Sequence, residues 1–225
     1  MSTMLSNLDL LRRVPLFSLL TVTQAEVISG AVTKQRYKRG EVLVEQGQKS
    51  NALAILLTGR ARVVSADSRG REVILATLGQ GDYLGEMSLI DNEPHSATVR
   101  AEVQTDVLVL GRAEFTRCLL ENASMGVVLM RGLVKRLRQA DRKIESLALL
   151  DVYGRVAHAL IEQAHTNAQG QQIIENKISR QDLAKTIGAS REMVSRVMKD
   201  LENRGFIETL PTGATLLCTP LQTLG

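Results

Sequence analysis

Two arginines and a glutamate share one side of a predicted helix near the end of the sequence. With about 100° of rotation per residue, Arg191, Glu192 and Arg196 fall on one arc, and an apolar set falls on the opposite arc. The apolar residues are Met193, Val194, Val197, Met198 and Leu201. Arginine donates to guanine O6 and N7, and glutamate accepts from cytosine N4. The outward arc therefore has the chemistry to read base edges in a DNA major groove.

The residues at the ends of this helix and of the helix before it support the same interpretation. Ser179 followed by Asp182 resembles a capping box that opens the first helix. Gly188 suits the turn between the helices, Ser190 can cap the second helix, and Gly205 can end it. The pattern predicts a helix-turn-helix.

A predicted hairpin follows the second helix. Residues 206–210 and 215–218 read as two short strands around Pro211-Thr212-Gly213, which makes the motif a winged helix. Residues 177–204 hold seven Lys/Arg against four Asp/Glu. The alternative, an ordinary surface helix with solvated charges, is disfavoured because faces, turn and hairpin agree.

Composition indicates a two-domain globular protein. The chain has 225 residues, a net charge of +4 and a pI near 9.3, which permits nucleic-acid binding. No run approaches the ~18 apolar residues of a membrane span, and the N-terminus lacks a signal-peptide pattern. Cys118 and Cys218 are far apart and are expected as reduced thiols, so we expect a cytoplasmic protein without a metal site.

The region 33–110 is predicted to be all-β. Short β-prone runs separated by glycine-containing turns indicate a sandwich, roll or barrel. The runs are 41–45, 54–57, 61–65, 72–78, 97–101 and 106–110. A short helix over 21–31, opened by Thr21 and Gln24, precedes them.

Residues 113–149 lack proline and predict a short helix to Glu121 followed by a long one. Apolar residues on the long helix recur at intervals of 3-4-3-4-3, the heptad seam of a parallel two-helix dimer. They are Met130, Leu133, Leu137, Ala140, Ile144 and Leu147. The alternative is one helix lying on its own domain's core. We favour the homodimer, because a helix-turn-helix normally reads a two-fold site as a dimer.

The remaining segments link the long helix to the winged helix. Residues 151–165 predict a helix, 166–172 a polar loop, and 173–174 a short strand. The fold class is α+β, and the expected domains are a β-roll sensor at 1–121, a dimerisation helix and hinge at 122–150, and a winged helix-turn-helix at 151–225.

This arrangement resembles the catabolite activator (CRP/FNR) family of bacterial transcription regulators from about residue 10 to residue 219. ISRQDLAKTIGASREMVSRVMKDLE is similar to the family's DNA-binding motif, and SLALLDVYGRVAHAL to its hinge. YLGEMSLIDNEPHSATVRA resembles the phosphate-binding cassette of cyclic-nucleotide domains.

The resemblance assigns roles in DNA binding. Arg191, Glu192 and Arg196 are similar to the family's three base-reading residues, which read half-sites of the TGTGA type in double-stranded promoter DNA. Phosphate contacts are expected from Arg180, Ser190 and Lys199. Half-sites about one helical turn apart, a bent duplex and RNA polymerase as a partner are further implications of the family.

The resemblance also implies a cyclic-nucleotide site. Gly85 would let backbone N–H groups approach a phosphate, and Glu86 would accept from a ribose 2′-hydroxyl. The other cassette residues expected at the ligand are Met87, Ser88, Ser96 and Ala97.

Two departures from the family bear on the effector. His95 replaces the arginine that pairs with the cyclic phosphate, and a neutral imidazole offers one donor instead of a fork; Arg100 is a candidate to compensate. On the long helix, Ala140 and Asp141 replace the threonine and serine that hold adenine. A carboxylate suits guanine, whose N1–H and N2 amine both donate. Arg138 and Asp141 also have the RxxD spacing that resembles cyclic di-GMP sites.

Asp141 also has an alternative role. With residue 130 at an a position, Arg136 is g and Asp141 the following e, the usual interhelical salt bridge of a coiled coil. The sequence does not favour ligand binding over the interhelical salt bridge as the role of Asp141. Because both departures disfavour cyclic AMP, we expect cyclic di-GMP ahead of cyclic AMP as the effector.

Other classes of function are less supported. Two cysteines cannot hold a four-cysteine cluster. Haem would need His95, His158, His165 or Cys118 as its axial ligand, and His158 is expected to be a packed core histidine. The chain has no nucleophile–base signature, HExxH or Walker loop, so we expect no enzyme. A regulator without an effector is the remaining alternative. An effector that binds where the β-domain meets the long helix would shift the equilibrium between two states of the dimer. The expected hinge for this change lies near residues 149–151.

Overall fold

The computed structural model describes residues 7–12, 14–17 and 20–218. The chain divides into two compact units, residues 1–136 and 137–225. The helices are α1 (Asn7–Arg12), α2 (Val22–Ala31), α3 (Glu86–Asp91), α4 (Arg112–Glu121), α5 (Ala123–Leu149), α6 (Val152–Gln163), α7 (Arg180–Ile187) and α8 (Arg191–Asn203). A 3₁₀ helix spans Pro15–Phe17.

Two antiparallel four-stranded sheets form the first unit. Their strands are β1 (Thr33–Tyr37), β2 (Val42–Val44), β3 (Ala52–Thr58), β4 (Ala61–Ala66), β5 (Glu72–Leu78), β6 (Tyr83–Leu84), β7 (Thr98–Ala101) and β8 (Thr105–Gly111). One sheet has the order β1-β8-β3-β6 and the other β2-β7-β4-β5. The β-rich unit predicted from the turn spacing is confirmed.

The core of this unit lies where strand side chains meet the helices. Leu53, Ile55, Leu108 and Leu110 point from β3 and β8 into a cluster that includes Phe115 of α4. Met125 and Leu129 at the start of α5 complete the same cluster. The long helix is therefore fixed to the β-unit by its first turns.

The edge strand β1 is held by backbone pairing with β8 and by ion pairs with one buried carboxylate. It pairs with β8, and its Arg36 lies directly opposite the buried Asp106. Arg36 donates to that carboxylate over 2.6 Å, and Lys34 lies 3.0 Å from it. These two cations hold the pKa of Asp106 down at about 2.

The second unit packs α6, α7 and α8 against a small sheet. Its strands are β9 (His165–Thr166), β10 (Gln172–Ile174), β11 (Ile207–Thr209) and β12 (Thr215–Leu217), in the order β11-β12-β10-β9. Val156 and Leu160 of α6 meet Val194, Met198 and Leu201 of α8 in one core. The predicted helix-turn-helix and its following hairpin are confirmed in this unit.

Candidate DNA interface and nucleotide cassette

The recognition helix α8 begins and ends as its sequence predicts. The Ser190 hydroxyl accepts from the backbone N–H of Met193 over 3.2 Å, and Ser179 caps α7 by accepting from Asp182. Gly188 joins the two helices with a φ of 65°, which favours glycine because a side chain would be strained there. Gly205 follows α8 with a φ of 70°. These caps fix the direction of the helix.

The two faces of α8 separate by burial. Arg191, Glu192 and Arg196 are exposed, whereas Val194 and Met198 are buried. The carboxylate of Glu192 accepts from its own backbone N–H and from the Ser190 hydroxyl, and both interactions lower its pKa. Glu192 is therefore ionised and able to accept a hydrogen bond.

One residue of the apolar arc lies outside the core. Met193 was placed on that arc, but its side chain is 43% exposed. Met193 lies at the margin of the arc, in the first turn of α8. The packed face consequently rests on Val194, Met198 and Leu201, all fully buried.

The residues predicted to contact phosphate differ in their surroundings. Lys199 is exposed beside the polar arc, and Ser190 is used as the helix cap. Arg180 at the start of α7 is half-buried, and burial lowers its pKa, with the nearby Glu202 opposing that shift. Thr209 of the wing donates to Glu202, so α8 and the wing are held together.

In the cassette, Gly85 precedes α3 in a conformation that excludes other residues. Its φ is 89°, and a Cβ there would lie 2.6 Å from the carbonyl oxygen of Ala52. The chain thus passes close to β3 just before Glu86. This close approach leaves backbone N–H groups at the start of α3 unobstructed by a side chain at position 85.

Glu86 is a buried carboxylate held by a residue of the long helix. It is 1% exposed, and its Oε1 accepts from Nη1 of Arg136 over 2.5 Å. Arg136 also donates to the backbone oxygen of Tyr83 and stacks over the Tyr83 ring at 4.8 Å. Burial raises the pKa of Glu86, and the charge of Arg136 opposes that shift.

Arg136 is the cassette residue that sequence reasoning missed. It was considered only as a coiled-coil partner of Asp141, but within the described chain it pairs with Glu86. The available signal was its position seven residues after the core residue Leu129, on the same helix face. The guanidinium beside the cassette therefore comes from α5.

Tyr83 fits against a glycine of the long helix. Its hydroxyl donates to the Leu129 carbonyl over 3.2 Å. A Cβ at position 132 would lie 1.9 Å from that hydroxyl oxygen, so Gly132 leaves the space that Tyr83 occupies. We call this contact the Tyr83–Gly132 notch.

His95 has a ring nitrogen without a partner. Its Nε2 is buried and makes no hydrogen bond, while its backbone pairs with Gln48 and Gly47. Burial lowers the pKa of His95, so the ring tends to be neutral. The ring therefore has one buried nitrogen whose hydrogen-bonding capacity no described residue uses.

The other predicted cassette residues are placed unevenly. Ser88 is buried and its hydroxyl donates to the Glu93 carbonyl over 2.6 Å, so its side chain is already engaged. Met87 and Ser96 are exposed, and Ala97 is buried. Only backbone groups are available to a ligand at Ala97.

Arg100 does not join the cassette group. It lies on β7 with its side chain alternating away from the buried Val99, and its Nη1 is 3.7 Å from Glu72. The suggestion that Arg100 replaces the missing arginine is not supported by this pairing. Strand alternation explains why: Arg100 occupies the outer face of its sheet.

On α5, exposure defines an apolar stripe that differs slightly from the predicted seam. Met130, Leu137, Ile144 and Leu147 are each at least half exposed, and Ala140 is exposed. Leu133, however, is half-buried. The largest exposed apolar side chains up to Ile144 recur at 3-4-3 and then 7 residues: Val127, Met130, Val134, Leu137 and Ile144. Arg138 and Asp141 are exposed on the same helix.

The histidines considered for haem lie in different surroundings. His158 was expected to be packed, but its side chain is 41% exposed and lies 3.9 Å from Glu162. His165 lies 3.3 Å from Glu175 in the small sheet. Cys118 is buried among the core residues of the first unit.

The described residues contain neither a metal-ligand cluster nor a membrane-spanning helix. Among them, no group of three or more His, Cys, Asp or Glu side chains has the arrangement of a metal site. Within that same part of the chain, every helix is too short or too polar to cross a membrane.

Comparisons with known proteins identify two domain families in the chain. Residues 34–122 match the cyclic nucleotide-binding domain family, and residues 154–219 match the Crp-like helix-turn-helix domain family. The chain is 34% identical over 183 residues to the cAMP-activated global transcriptional regulator Vfr of Pseudomonas aeruginosa, covering 77% of this chain and 84% of Vfr. It is 34% identical over 178 residues to the regulator CRP of Salmonella typhimurium, covering 76% and 83%.

Solved structures share the fold. The c-di-GMP responsive global regulator CLP of Xanthomonas campestris has a TM-score of 0.76 at 23% identity, over 88% of this chain and all of CLP. The catabolite activator protein of Thermus thermophilus has a TM-score of 0.54 at 30% identity, over 93% and 96%.

The fold and the two sites define a nucleotide-sensing β-unit joined through a long helix to a DNA-binding winged helix. Proteins of this class are transcription regulators and not enzymes. The chain belongs to the CRP/FNR family, and it is a cyclic nucleotide-responsive, DNA-binding regulator.

Proposed function

We propose that the protein reads a two-fold TGTGA-like promoter site through Arg191, Glu192 and Arg196. The observation that carries this proposal is the exposed Arg/Glu/Arg face of α8, which lies opposite the fully buried Val194, Met198 and Leu201. Each arginine can donate twice to a guanine, and ionised Glu192 can accept from a cytosine. Arg180, Ser190 and Lys199 are proposed to contact phosphate.

A matched pair of variants tests the base-reading role. Arg191→Ala should cost about 1–3 kcal/mol of discrimination at the guanine it reads, whereas Lys199→Ala should weaken binding to all sequences alike. The measurement is competition binding to duplexes with single base-pair changes at each half-site position. Unchanged sequence preference in Arg191→Ala would reject the assignment.

We also propose that the functional unit is a homodimer formed along α5. The support is the exposed apolar stripe, in which Leu137 is 62% and Ile144 is 64% exposed. A second copy is the occupant that the heptad spacing fits. Two copies would present two recognition helices to a two-fold site. Contact with RNA polymerase is proposed from family membership alone.

For the effector, we propose a cyclic nucleotide with cyclic di-GMP ahead of cyclic AMP. The cassette residues fit a cyclic phosphate: Gly85 leaves room for backbone donors, and the buried Nε2 of His95 lacks a partner. Asp141 is exposed and can accept both donors of a guanine edge, whereas adenine presents one donor group there. Cyclic AMP is the second candidate, because relatives at 34% identity are named cAMP-activated regulators.

Calorimetric titration of the full chain with each nucleotide tests this ranking. We expect micromolar binding of cyclic di-GMP that is weakened in Asp141→Asn. Tighter binding of cyclic AMP than of cyclic di-GMP would reverse the ranking. If neither nucleotide bound, the sensor proposal would fail while the DNA-binding assignment stood on its own residues.

The effector would act by shifting a population of dimer states. A ligand changes DNA affinity only as far as its own affinity differs between the states. Because such coupling is reciprocal, DNA should change the affinity for the nucleotide by the same factor by which the nucleotide changes the affinity for DNA. Measuring both affinities with and without the other ligand tests the proposal.

A further inference from the structure

Arg112, the first residue of helix α4, joins that helix to two other segments of the first unit. Its Nη1 donates to the carbonyl oxygen of Leu89 over 3.0 Å, and its Nη2 donates to that of Ser88 over 3.1 Å. Its Nε donates to the side-chain oxygen of Asn51 over 3.2 Å, and its backbone N–H donates to the Asn51 carbonyl over 2.7 Å. We call these four hydrogen bonds the Arg112 clamp. Through it, helix α3 and the residue before β3 are both bound to the start of α4.

The Arg112 guanidinium is bound to neutral oxygens and not to a carboxylate. Among the described residues it forms no ion pair, whereas the half-buried Arg136 pairs with a carboxylate. Ser88 and Leu89 belong to the last four residues of α3, and the carbonyls at such positions generally lack partners within their own helix. A cation there also interacts favourably with the negative end of the helix dipole. The clamp therefore caps α3 from a different element.

Helix α3 depends on contacts of this kind because it is short. It has six residues, Glu86–Asp91, and helices shorter than about 12 residues are marginal in water. At its N-terminus, Gly85 approaches the carbonyl of Ala52 so closely that a Cβ would lie 2.6 Å from it. Asn51, the preceding residue, is bound by the clamp. The two ends of α3 are thus held against the same strand start.

The helix that carries the clamp shares a core with α3 and with the first turns of α5. The buried cluster of this unit contains Leu89 of α3 and Phe115 of α4. It also contains Met125 and Leu129 of α5, which continues as one helix to Leu149. Because close-packed interiors transmit strain, a displacement that passes from α3 to α4 also reaches α5.

We propose that Arg112 is a positioning residue for the nucleotide response. When a nucleotide in the cassette displaces α3, the clamp carries that displacement to α4 and through the shared core to α5. A guanidinium suits this task because its planar set of donors fixes direction as well as distance. Glu86, which the cassette offers to a nucleotide, is the first residue of the same short helix.

This inference rests on the proposed cyclic-nucleotide site of the cassette and adds the residue that links the site to α4. Arg136 holds α3 at its first residue, Glu86. Arg112 holds it through two carbonyls of its C-terminal half. With a guanidinium at each end, α3 cannot tilt without moving α4 or α5.

The experiment measures the DNA affinity of the full chain with and without nucleotide, using cyclic di-GMP and cyclic AMP separately at saturation. The ratio of the two affinities is the coupling factor. We expect Arg112→Ala to lower the coupling factor by about fivefold or more, within the range of typical allosteric couplings. The DNA affinity of the nucleotide-free protein should stay unchanged. A purely structural contact would lower the free energy of unfolding and leave the coupling factor at its wild-type value.

Two further variants complete the set. Arg112→Lys should give a coupling factor between those of the wild type and Arg112→Ala, because an ammonium keeps the charge but not the planar donors. It also decides the matter if Arg112→Ala does not fold. Arg117→Ala removes an exposed cation from the same helix and should leave the coupling factor unchanged.

Hydrogen exchange of the nucleotide-free protein tests the link between the helices directly. In Arg112→Ala, the backbone amides of α3 and those of the first turns of α4 should exchange faster together. Faster exchange confined to α3 would contradict transmission through the clamp.

A wild-type coupling factor in both Arg112 variants would overturn the inference and leave the proposed effector site standing. If the wild type bound neither nucleotide, the titration alone would show that the effector proposal had failed. The exchange measurement would then still decide whether Arg112 joins α3 to α4.

Discussion

The side chain of Glu86 is a carboxylate almost without access to water, and one guanidinium compensates its charge. Removing one member of such a pair leaves an unpaired buried charge, which costs more than the pair gains. Arg136 is the partner, and it binds through Nη1 at 2.5 Å. The stability of the β-unit therefore depends on a residue of the long helix.

We predict that Arg136→Ala lowers the free energy of unfolding by about 2–3 kcal/mol at pH 8. Burial already raises the pKa of Glu86, and removing Arg136 would raise it further. A raised carboxyl pKa favours the protonated folded state, so the loss should shrink as the pH falls below that pKa. Urea unfolding at pH 8 and pH 5 measures it.

The control for this prediction is Arg117→Ala, which removes an exposed cation that does not pair with Glu86. It should leave the unfolding free energy nearly unchanged at both pH values. An equal loss at pH 8 and pH 5 in Arg136→Ala would contradict the assigned role of the buried charge.

For individual residues, the sequence predicted the exposed polar face of α8 but not the ion pair in the cassette. Arg191, Glu192 and Arg196 follow from helical periodicity, because their role depends only on one helix. The pairing of Glu86 with Arg136 joins positions 50 residues apart. A local pattern carries no information about such a contact.

Helix α5 contains two glycines with opposite surroundings. A Cβ at Gly126 would meet nothing within 4 Å, whereas one at Gly132 would lie 1.9 Å from the Tyr83 hydroxyl. A helical glycine is destabilising relative to alanine by about 1 kcal/mol. Gly132 is therefore explained by packing and not by helix preference.

We predict that Gly132→Ala lowers the free energy of unfolding by about 1–3 kcal/mol, the range for overpacking. Gly126→Ala should raise it by up to about 1 kcal/mol. Urea unfolding of the two variants, which differ only in position along one helix, measures both effects. In a Tyr83→Ala background the penalty at 132 should disappear. Equal stability of the two alanine variants would reject the notch.

Elements with strong periodicity were predictable, and those defined by pairing were not. All six predicted β-runs overlap observed strands, and α4 and α5 divide next to Glu121 as expected. Strand β1 was missed because its residues are mostly exposed and its order comes from pairing with β8. Helix α3 was missed because it has only six residues and follows a left-handed glycine.

For the whole molecule, we propose that assembly depends on the exposed apolar stripe on α5. We predict that Leu137→Glu converts the dimer to a monomer, because two carboxylates would meet within an apolar seam. Sedimentation velocity measures the mass. Affinity for a two-fold DNA site should fall with dimer loss, since each monomer can hold one half-site.

The matched control is Leu120→Glu, which changes a leucine that is 83% exposed on α4. It should remain dimeric and bind DNA normally. A dimeric Leu137→Glu protein would place the interface elsewhere on the chain.

The Tyr83–Gly132 notch also has an evolutionary consequence. Any side chain at position 132 requires a smaller residue at position 83, and losing the tyrosine ring removes the surface over which Arg136 stacks. The effects of substitutions at 83 and 132 are thus coupled, and replacing Tyr83 also changes the surroundings of Arg136. In descendants of this gene the three positions should drift as a unit, and a lone replacement of Gly132 should be the rarest intermediate.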